Sequence, residues 1–498
     1  MVFTSWAFVV FLAVVLLGLR LAPNRTARQA LLLLASCYFY AYWDPRYLLL
    51  LLTPSAIDYY AALKIEASED PKVRKQWLVF SLVTNLGLLG YFKYADFFVQ
   101  QFSTLLGLET RHLNILLPVG ISFYTFKTMS YVIDVYRRDM QASRSLWRYA
   151  MFVTYFPELV AGPIVRASVF LPQMTRSLNP SWPRAWVGAQ AILLGLTKKL
   201  VIADRLAPFA DSVFAAPATF SPLTVLSAVI AYSIQIYCDF SGYSDIAIGV
   251  SRIIGYDLPE NFNMPYAARS ITEFWRRWHM TLSQWLRDYL YIPLGGNRLG
   301  KWRTYLNLFL TMLLGGLWHG ANWTFVFWGF LHGLGLAVHK LHMDRIKEGR
   351  ARPLPPVVGW LLTYAFVCFA WVFFRAQDFP TAMTIVRKLV WLDSTGVDHL
   401  YLPLLVLLPI VVLAHWAGKV AADRAGDASN RWVPAPAWAA RIWDASGTRF
   451  AVRPHPAAGL YLLLPVPGFV GGFVLTTWVL LLALFAVIDS SPFIYFQF

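Results

Sequence analysis

Charge is scarce in this chain of 498 residues: only 14% are Asp, Glu, Lys or Arg, against 58% hydrophobic and 16% aromatic. That scarcity excludes an ordinary soluble enzyme and a disordered scaffold, both of which carry far more polar residues. Cysteine is scarcer still. Cys37, Cys238 and Cys368 stand far apart inside apolar segments, so neither a disulfide framework nor a zinc site is implied. Acidic residues number 27 against 43 basic ones, which leaves a net charge of +16. The basic residues fall in short breaks between apolar runs, where they act as topology signals and contacts for anionic lipid rather than for nucleic acid. The N-terminus has no basic residue ahead of its apolar stretch and no clear small-x-small cleavage site, so it reads as a retained first helix and not a signal peptide. There is no internal repeat of fixed period and no low-complexity tract.

What the chain has in abundance is apolar runs, recurring from Trp6 to Phe485 with no soluble-looking block between them and a mean hydropathy of +0.51. The expected fold is an all-α polytopic integral membrane protein, a single membrane domain over residues 1–498. Candidate spans are Trp6–Leu19, Ala30–Trp43, Tyr47–Leu63, Trp77–Tyr94, Ile115–Tyr136, Tyr149–Ile164, Trp186–Ile202, Leu223–Tyr237, Tyr305–Leu317, Trp323–Val338, Val357–Phe374, Tyr401–Ala417 and Val470–Val487. Several are short, so roughly ten to twelve crossings are expected. Arginines and lysines crowd the breaks after the first, third and fifth candidates, while Asp44–Arg46 and Ala95–Asn114 carry only Arg46 and Arg111. The N-terminus is therefore expected to face away from the cytoplasm. The bias blurs later, because Arg166, Arg176 and Arg184 fall in a loop this register places outside.

Two segments do not behave like spans. Ile271–Ile292 spaces Trp275, Trp278, Leu282, Trp285 and Tyr289 by three and four, while Arg276, Arg277, Arg287 and Asp288 break any apolar run. It reads as an amphipathic helix at or dipping into the interface. Residues 421–467 are too polar to span and read as an extramembrane loop insertion.

Ionisable groups in hydrocarbon are costly and mark functional candidates. Asp239, Ser241, Ser244 and Asp245 interrupt an apolar run in which Gly242 allows the backbone to break or kink. Glu158 sits between Pro157 and Pro163, where a helix should end or bend. Lys198 and Lys199 close an apolar helix; the plain reading is that they snorkel to the interface and that Asp239 or Asp245 pairs with an arginine. His112, His399 and His455 lie in or near polar loops, His339 and His342 form a helix-end cationic patch, His415 sits at a helix end, and His332 between Gly329 and Gly333 reads as a packing residue. His319 differs, because Gly315, Gly316 and Gly320 surround it where an apolar helix ends. His279 shares a helix face with Trp275 and Leu282. A neutral imidazole suits proton abstraction from a hydroxyl, with a satisfied structural histidine as the alternative at each position.

FPELVAGPI, CDFSGYSDIAIG, ITEFWRRWHMTLSQWLRDYLYIPLGG, LGGLWHGANWTFVFWG and the terminal PFIYFQF occur in this order. Together they resemble the membrane-bound O-acyltransferase family, in particular its bacterial branch typified by alginate O-acetylation. The resemblance runs from Met1 to about Ala376 and resumes at the C-terminus; residues 421–467 do not align. It implies a helical bundle around a transmembrane tunnel in the bacterial inner membrane, with a catalytic core over 110–375. It also implies His319 as the principal catalytic histidine and His279 as the second. The implied donor is acetyl-CoA or another cytoplasmic acyl thioester, with no bound cofactor or metal. The implied acceptor is an envelope or secreted polysaccharide, reached through a separate extracytoplasmic acetyltransferase or carrier protein.

On this reading His319 takes the hydroxyl proton and His279 orients the donor or adds a polar contact. Asn322 is a candidate donor to the thioester carbonyl, or else the N-cap of the helix starting at Trp323. Trp318, Asp239 and Ser241 are further candidates for binding substrate. Arg276, Arg277, Arg298, Lys301 and Arg303 are expected to flank the site on the cytoplasmic side, attracting phosphates or serving as topology signals. The rival class is a transporter or channel using Asp239, Asp245 and Glu158, which would show two matched halves with interrupted helices; no such symmetry is visible. A polyprenyl-linked glycosyl-transfer enzyme is a third reading, in which acidic residues and a metal would carry the chemistry.

Overall fold

The computed structural model describes residues 1–109, 113, 115–175, 181–391, 395–425, 469–487, 491, 493 and 494. Helices account for nearly all the regular structure among them: α1 (Trp6–Leu21), α2 (Arg25–Ala41), α3 (Pro45–Ala67), α4 (Pro71–Leu89), α5 (Ala95–Leu105), α6 (Ile121–Arg137), α7 (Leu146–Thr154), α8 (Ala167–Thr175), α9 (Trp182–Leu196), α10 (Asp204–Ala215), α11 (Pro222–Ile254), α12 (Ile271–Trp275), α13 (Met280–Leu286), α14 (Lys301–His319), α15 (Trp323–Lys347), α16 (Pro356–Arg375), α17 (Phe379–Trp391), α18 (Leu402–Ala425) and α19 (Phe469–Phe485). Their starts follow local chemistry. Asp44, Asp70 and Ser221 each cap a helix whose first residue is proline, where a missing N–H costs nothing. A π-helical turn, Gly90–Tyr94, joins α4 to α5, and another, Thr197–Ala203, joins α9 to α10.

Six helices among the described residues are long and apolar enough to cross a membrane: Pro45–Ala67, Pro71–Leu105, Trp182–Ala215, Pro222–Ile254, Pro356–Arg375 and Leu402–Val420, with Trp6–Leu21 and Gly471–Phe485 as shorter apolar helices. Within that set α11 is the central post. Of its most apolar stretch 78% is buried, against 17% for α4–α5, which therefore faces outward.

Several sequence expectations change here. Gly242 does not break its helix; α11 runs unbroken from Pro222 to Ile254. A Cβ on Gly242 would lie 2.7 Å from the Gly195 carbonyl oxygen, and one on Gly195 would lie 2.4 Å from that of Gly242, so these glycines serve the close crossing of α9 and α11. Lys198 and Lys199 do not snorkel to the interface. Lys198 pairs with Asp245 at 2.7 Å, while Lys199 bridges Asp204 at 2.8 Å and Asp239 at 2.7 Å, so the partners of these aspartates are lysines and not arginines. His415 lies within α18, buried against Tyr237 at 4.7 Å, rather than at a helix end.

The candidate span Tyr149–Ile164 is not a helix throughout. α7 stops at Thr154, and residues 155–166 run as a buried irregular stretch, the bend that Pro157 and Pro163 suggested. Arg166, at the end of this stretch, comes to the side where Arg137 sits: the two guanidiniums lie over the Tyr289 ring, at 5.2 and 5.3 Å. Arg166 thus lies on the side that carries the other early basic residues and does not depart from the charge bias. The loop expected over 421–467 begins with helix through Ala425, and the rest of it lies outside the described residues, as do His112, His455 and Arg176.

Candidate active site

α14 ends at His319, and the chain leaves it extended at Gly320 (φ −161°, ψ 151°) before Asn322 caps α15. The two helices cross at glycine: a Cβ on Gly316 would meet the Phe325 carbonyl oxygen at 2.3 Å, and one on Gly329 that of Met312 at 2.4 Å. This approach seats the His319 ring edge-on to Trp328, 5.0 Å between centroids, with Phe374 at 5.2 Å and Trp318 at 4.9 Å. His319 is 5% exposed and lines a cavity of about 90 Å³ shared with Lys93, Pro118, Gly120, Ser122, Phe123 and Trp318.

The segment expected to form one amphipathic helix is two. α12 and α13 are separated by Arg276–His279, and His279 adopts left-handed backbone angles (φ 42°, ψ 55°) that few non-glycine residues accept. The cause is tertiary. Asn261–Met264 lies against the break, with Met280 N–H donating to Asn261 O at 2.9 Å and Asn263 N–H to Arg277 O at 2.9 Å, so the unwound backbone keeps its hydrogen bonds. His279 thus sits in the break and not on a helix face.

His279 is fully buried, with Phe240 edge-on at 4.7 Å. Its Nδ1 lies 3.0 Å from Asn261 Oδ1. That oxygen also accepts from the Thr281 backbone N–H at 3.3 Å and from the Thr281 hydroxyl at 2.9 Å, and the same hydroxyl accepts from Ile164 N–H at 3.0 Å. A backbone N–H only donates, so the Asn261 atom is the oxygen; Nδ1 of His279 carries the proton and Nε2 the lone pair. Phe123 and Trp318, 5.4 Å apart, link the two histidines: Trp318 is 6.4 Å from the His279 ring and 4.9 Å from that of His319.

The structure therefore gathers His319, Trp318 and His279 into one aromatic cluster. It does not bring the other expected residues to the cavity wall. Asp239 is engaged with Lys199 and with the Ile494 N–H at 2.7 Å, and Ser241 is buried on α11. Asn322 caps α15 by accepting from Thr324 N–H at 3.0 Å and donates to Gln377 O at 2.9 Å. Arg277 pairs with Glu273 and Arg276 is exposed. The cluster Arg298–Arg303 does not flank His319 but stands at the other end of the 19-residue α14, about 27 Å away.

Sequence reading missed Lys93, Lys127 and Asn261. Lys93 lines the cavity, Lys127 pairs with Glu158 in the buried stretch beside α13, and Asn261 sets the tautomer of His279. Both lysines lie inside apolar runs, YFKYADFF and ISFYTFKTMSY, a signal that intramembrane cost makes readable. Nothing local marks Asn261. Among the described residues no group of three or more His, Cys, Asp or Glu is arranged to hold a metal ion.

A helical membrane bundle in which one buried histidine lines a small cavity and a second packs behind it across Trp318 defines the class, and similarity to known sequences supplies the family. The model of the membrane-bound O-acyltransferase family matches residues 46–377, and the chain belongs to that family; it is an acyltransferase. A protein of Pseudomonas aeruginosa named probable alginate O-acetylase is 39% identical over 531 aligned positions, covering 100% of both chains. A peptidoglycan O-acetyltransferase of Helicobacter pylori is 38% identical over 405, covering 76% of this chain and 77% of its own. A teichoic acid D-alanyltransferase of Bacillus subtilis is 27% identical over 287, covering 53% and 70%.

Proposed function

We propose that this protein takes an acetyl group from a cytoplasmic thioester such as acetyl-CoA and passes it across the bacterial inner membrane for O-acetylation of an envelope or secreted polysaccharide, alginate foremost. The observation that carries the reading is His319, buried at the end of α14 on the wall of a cavity, with His279 joined to it through Trp318. The catalytic core is residues 110–375. Full-length likeness to the probable alginate O-acetylase favours alginate, and likeness to the peptidoglycan enzyme keeps the wider polysaccharide class in view.

In the reaction His319 takes the proton of the attacking hydroxyl as its oxygen bonds to the thioester carbon; the C–S bond breaks and the thiolate leaves, recovering a proton. His279, fixed through Nδ1 by Asn261 so that Nε2 carries the lone pair, is the second polar contact. The hydroxyl belongs to the polysaccharide or to a separate extracytoplasmic protein that completes the transfer. With the N-terminus outside, the basic end of α14 faces the cytoplasm and His319 stands toward the outer face, so the thioester has to enter through the bundle. The test is the O-acetyl content of envelope and extracellular polysaccharide with wild-type protein and with His319→Ala at equal membrane abundance. Loss of acetylation is expected; unchanged acetylation of every polymer refutes the reading.

A further inference from the structure

The last carbonyls of α14 have no intrahelical partner, and the extended exit at Gly320 offers none of the backbone turns that usually close a helix. A different helix closes it. Lys93 Nζ donates to Trp318 O at 2.6 Å and His319 O at 2.9 Å, with Ser122 Oγ at 3.3 Å, and the neighbouring Tyr94 hydroxyl donates to Leu317 O at 2.8 Å. Consecutive side chains diverge by about 100° on a regular helix. Here both belong to the π-helical turn Gly90–Tyr94, a wider turn of the sort found at functional sites, and both reach the same neighbour. A cation at this spot also opposes the negative end of the α14 dipole, in a half-buried place where the interaction is weakly screened. The same ammonium lies 5.9 Å over the Trp318 ring and lines the cavity that holds His319.

We propose that Lys93 is a positioning residue: with Tyr94 it clamps the end of α14 and so fixes where the His319 imidazole meets the acceptor hydroxyl. This rests on His319 being the base. A displacement of about 1 Å at a reacting group costs up to 100-fold in rate, which sets the scale of the effect.

The experiment measures alkali-released acetate from envelope and extracellular polysaccharide, per unit of full-length protein in the membrane, in cells carrying wild type, His319→Ala, Lys93→Met, Lys93→Arg or Tyr94→Phe. Lys93→Met is expected to lower acetylation 10- to 100-fold, and Lys93→Arg, whose fork can donate to two carbonyls, to restore most of it. Tyr94→Phe should lower it a few-fold. Full acetylation in His319→Ala sinks the functional reading itself. If His319→Ala is inactive while Lys93→Met acetylates like wild type, only the clamp falls. If Lys93→Met and Lys93→Arg are equally inactive at normal abundance, the charge is not what matters and the clamp is likewise overturned. Should Lys93→Met fail to accumulate, Tyr94→Phe decides: reduced acetylation at normal abundance supports the clamp, and a wild-type level overturns it.

Discussion

Replacing Lys127 with methionine strands the Glu158 carboxylate in the protein interior. The two side chains are 6% and 1% exposed, and the Lys127 ammonium also lies 4.4 Å over the Phe152 ring, so no water replaces what is lost. Removing one partner of such a pair costs about 3–5 kcal/mol, because the other charge stays buried and uncompensated. Replacing both by methionine removes both desolvation penalties and is expected to recover most of that loss, so that the double variant costs far less than the sum of the two single ones and the double-mutant cycle shows a coupling of about 5 kcal/mol or more. The assay is equilibrium unfolding of the purified full-length protein in mixed micelles for wild type, both single variants and the double. The reasoning is refuted if Lys127→Met stays within about 0.5 kcal/mol of wild type, the range of ordinary surface changes. It is equally refuted if the double variant is as unstable as the single one.

Asn261→Leu removes the acceptor that sets the tautomer of His279 and is expected to lower acetylation, while Asn261→Leu combined with His279→Ala should be no worse than His279→Ala alone; additive losses in the acetate assay would show that Asn261 acts elsewhere. Gly316→Ala puts a Cβ 2.3 Å from the Phe325 carbonyl oxygen and should cost roughly 1–3 kcal/mol, whereas Gly315→Ala meets only the flexible end of Leu286 at 3.3 Å and should be mild; unfolding in micelles distinguishes them. Gly195→Leu should prevent α9 and α11 from crossing and abolish membrane accumulation, read by immunoblot, while leaving transcript unchanged.

The sequence made the histidine at the end of α14 visible because its cue is local: glycines and a helix stop surround it within a few residues. Asn322 as an N-cap and the bend around Glu158 were legible for the same reason. Gly242 was misread because a glycine that frees the backbone and one that admits a neighbouring helix are the same letter; only the partner, Gly195, tells them apart. The break at His279 was hidden by a spacing of three and four that suits a helix, since what unwinds it is a backbone segment fifteen or more residues upstream. Lys93 lies 226 residues from His319, and no pattern in the chain joins them. The number of crossings was hard to read because helices inside a bundle, such as the largely buried α6, need not be as long as those facing lipid.

The left-handed backbone at His279 acts as a filter on which side chains that position can hold. At φ 42° a β-branched side chain is strongly disfavoured, while glycine takes the angle freely and histidine, asparagine and aspartate adopt it more often than other side chains. Met264 and Arg138 take similar left-handed angles in this chain, at φ 46° and 66°, so what the angle excludes is a branch at Cβ and not an unbranched side chain. A relative that keeps this break is therefore expected to lack valine, isoleucine and threonine here, so the backbone screens the position by shape while leaving its polarity to the reaction.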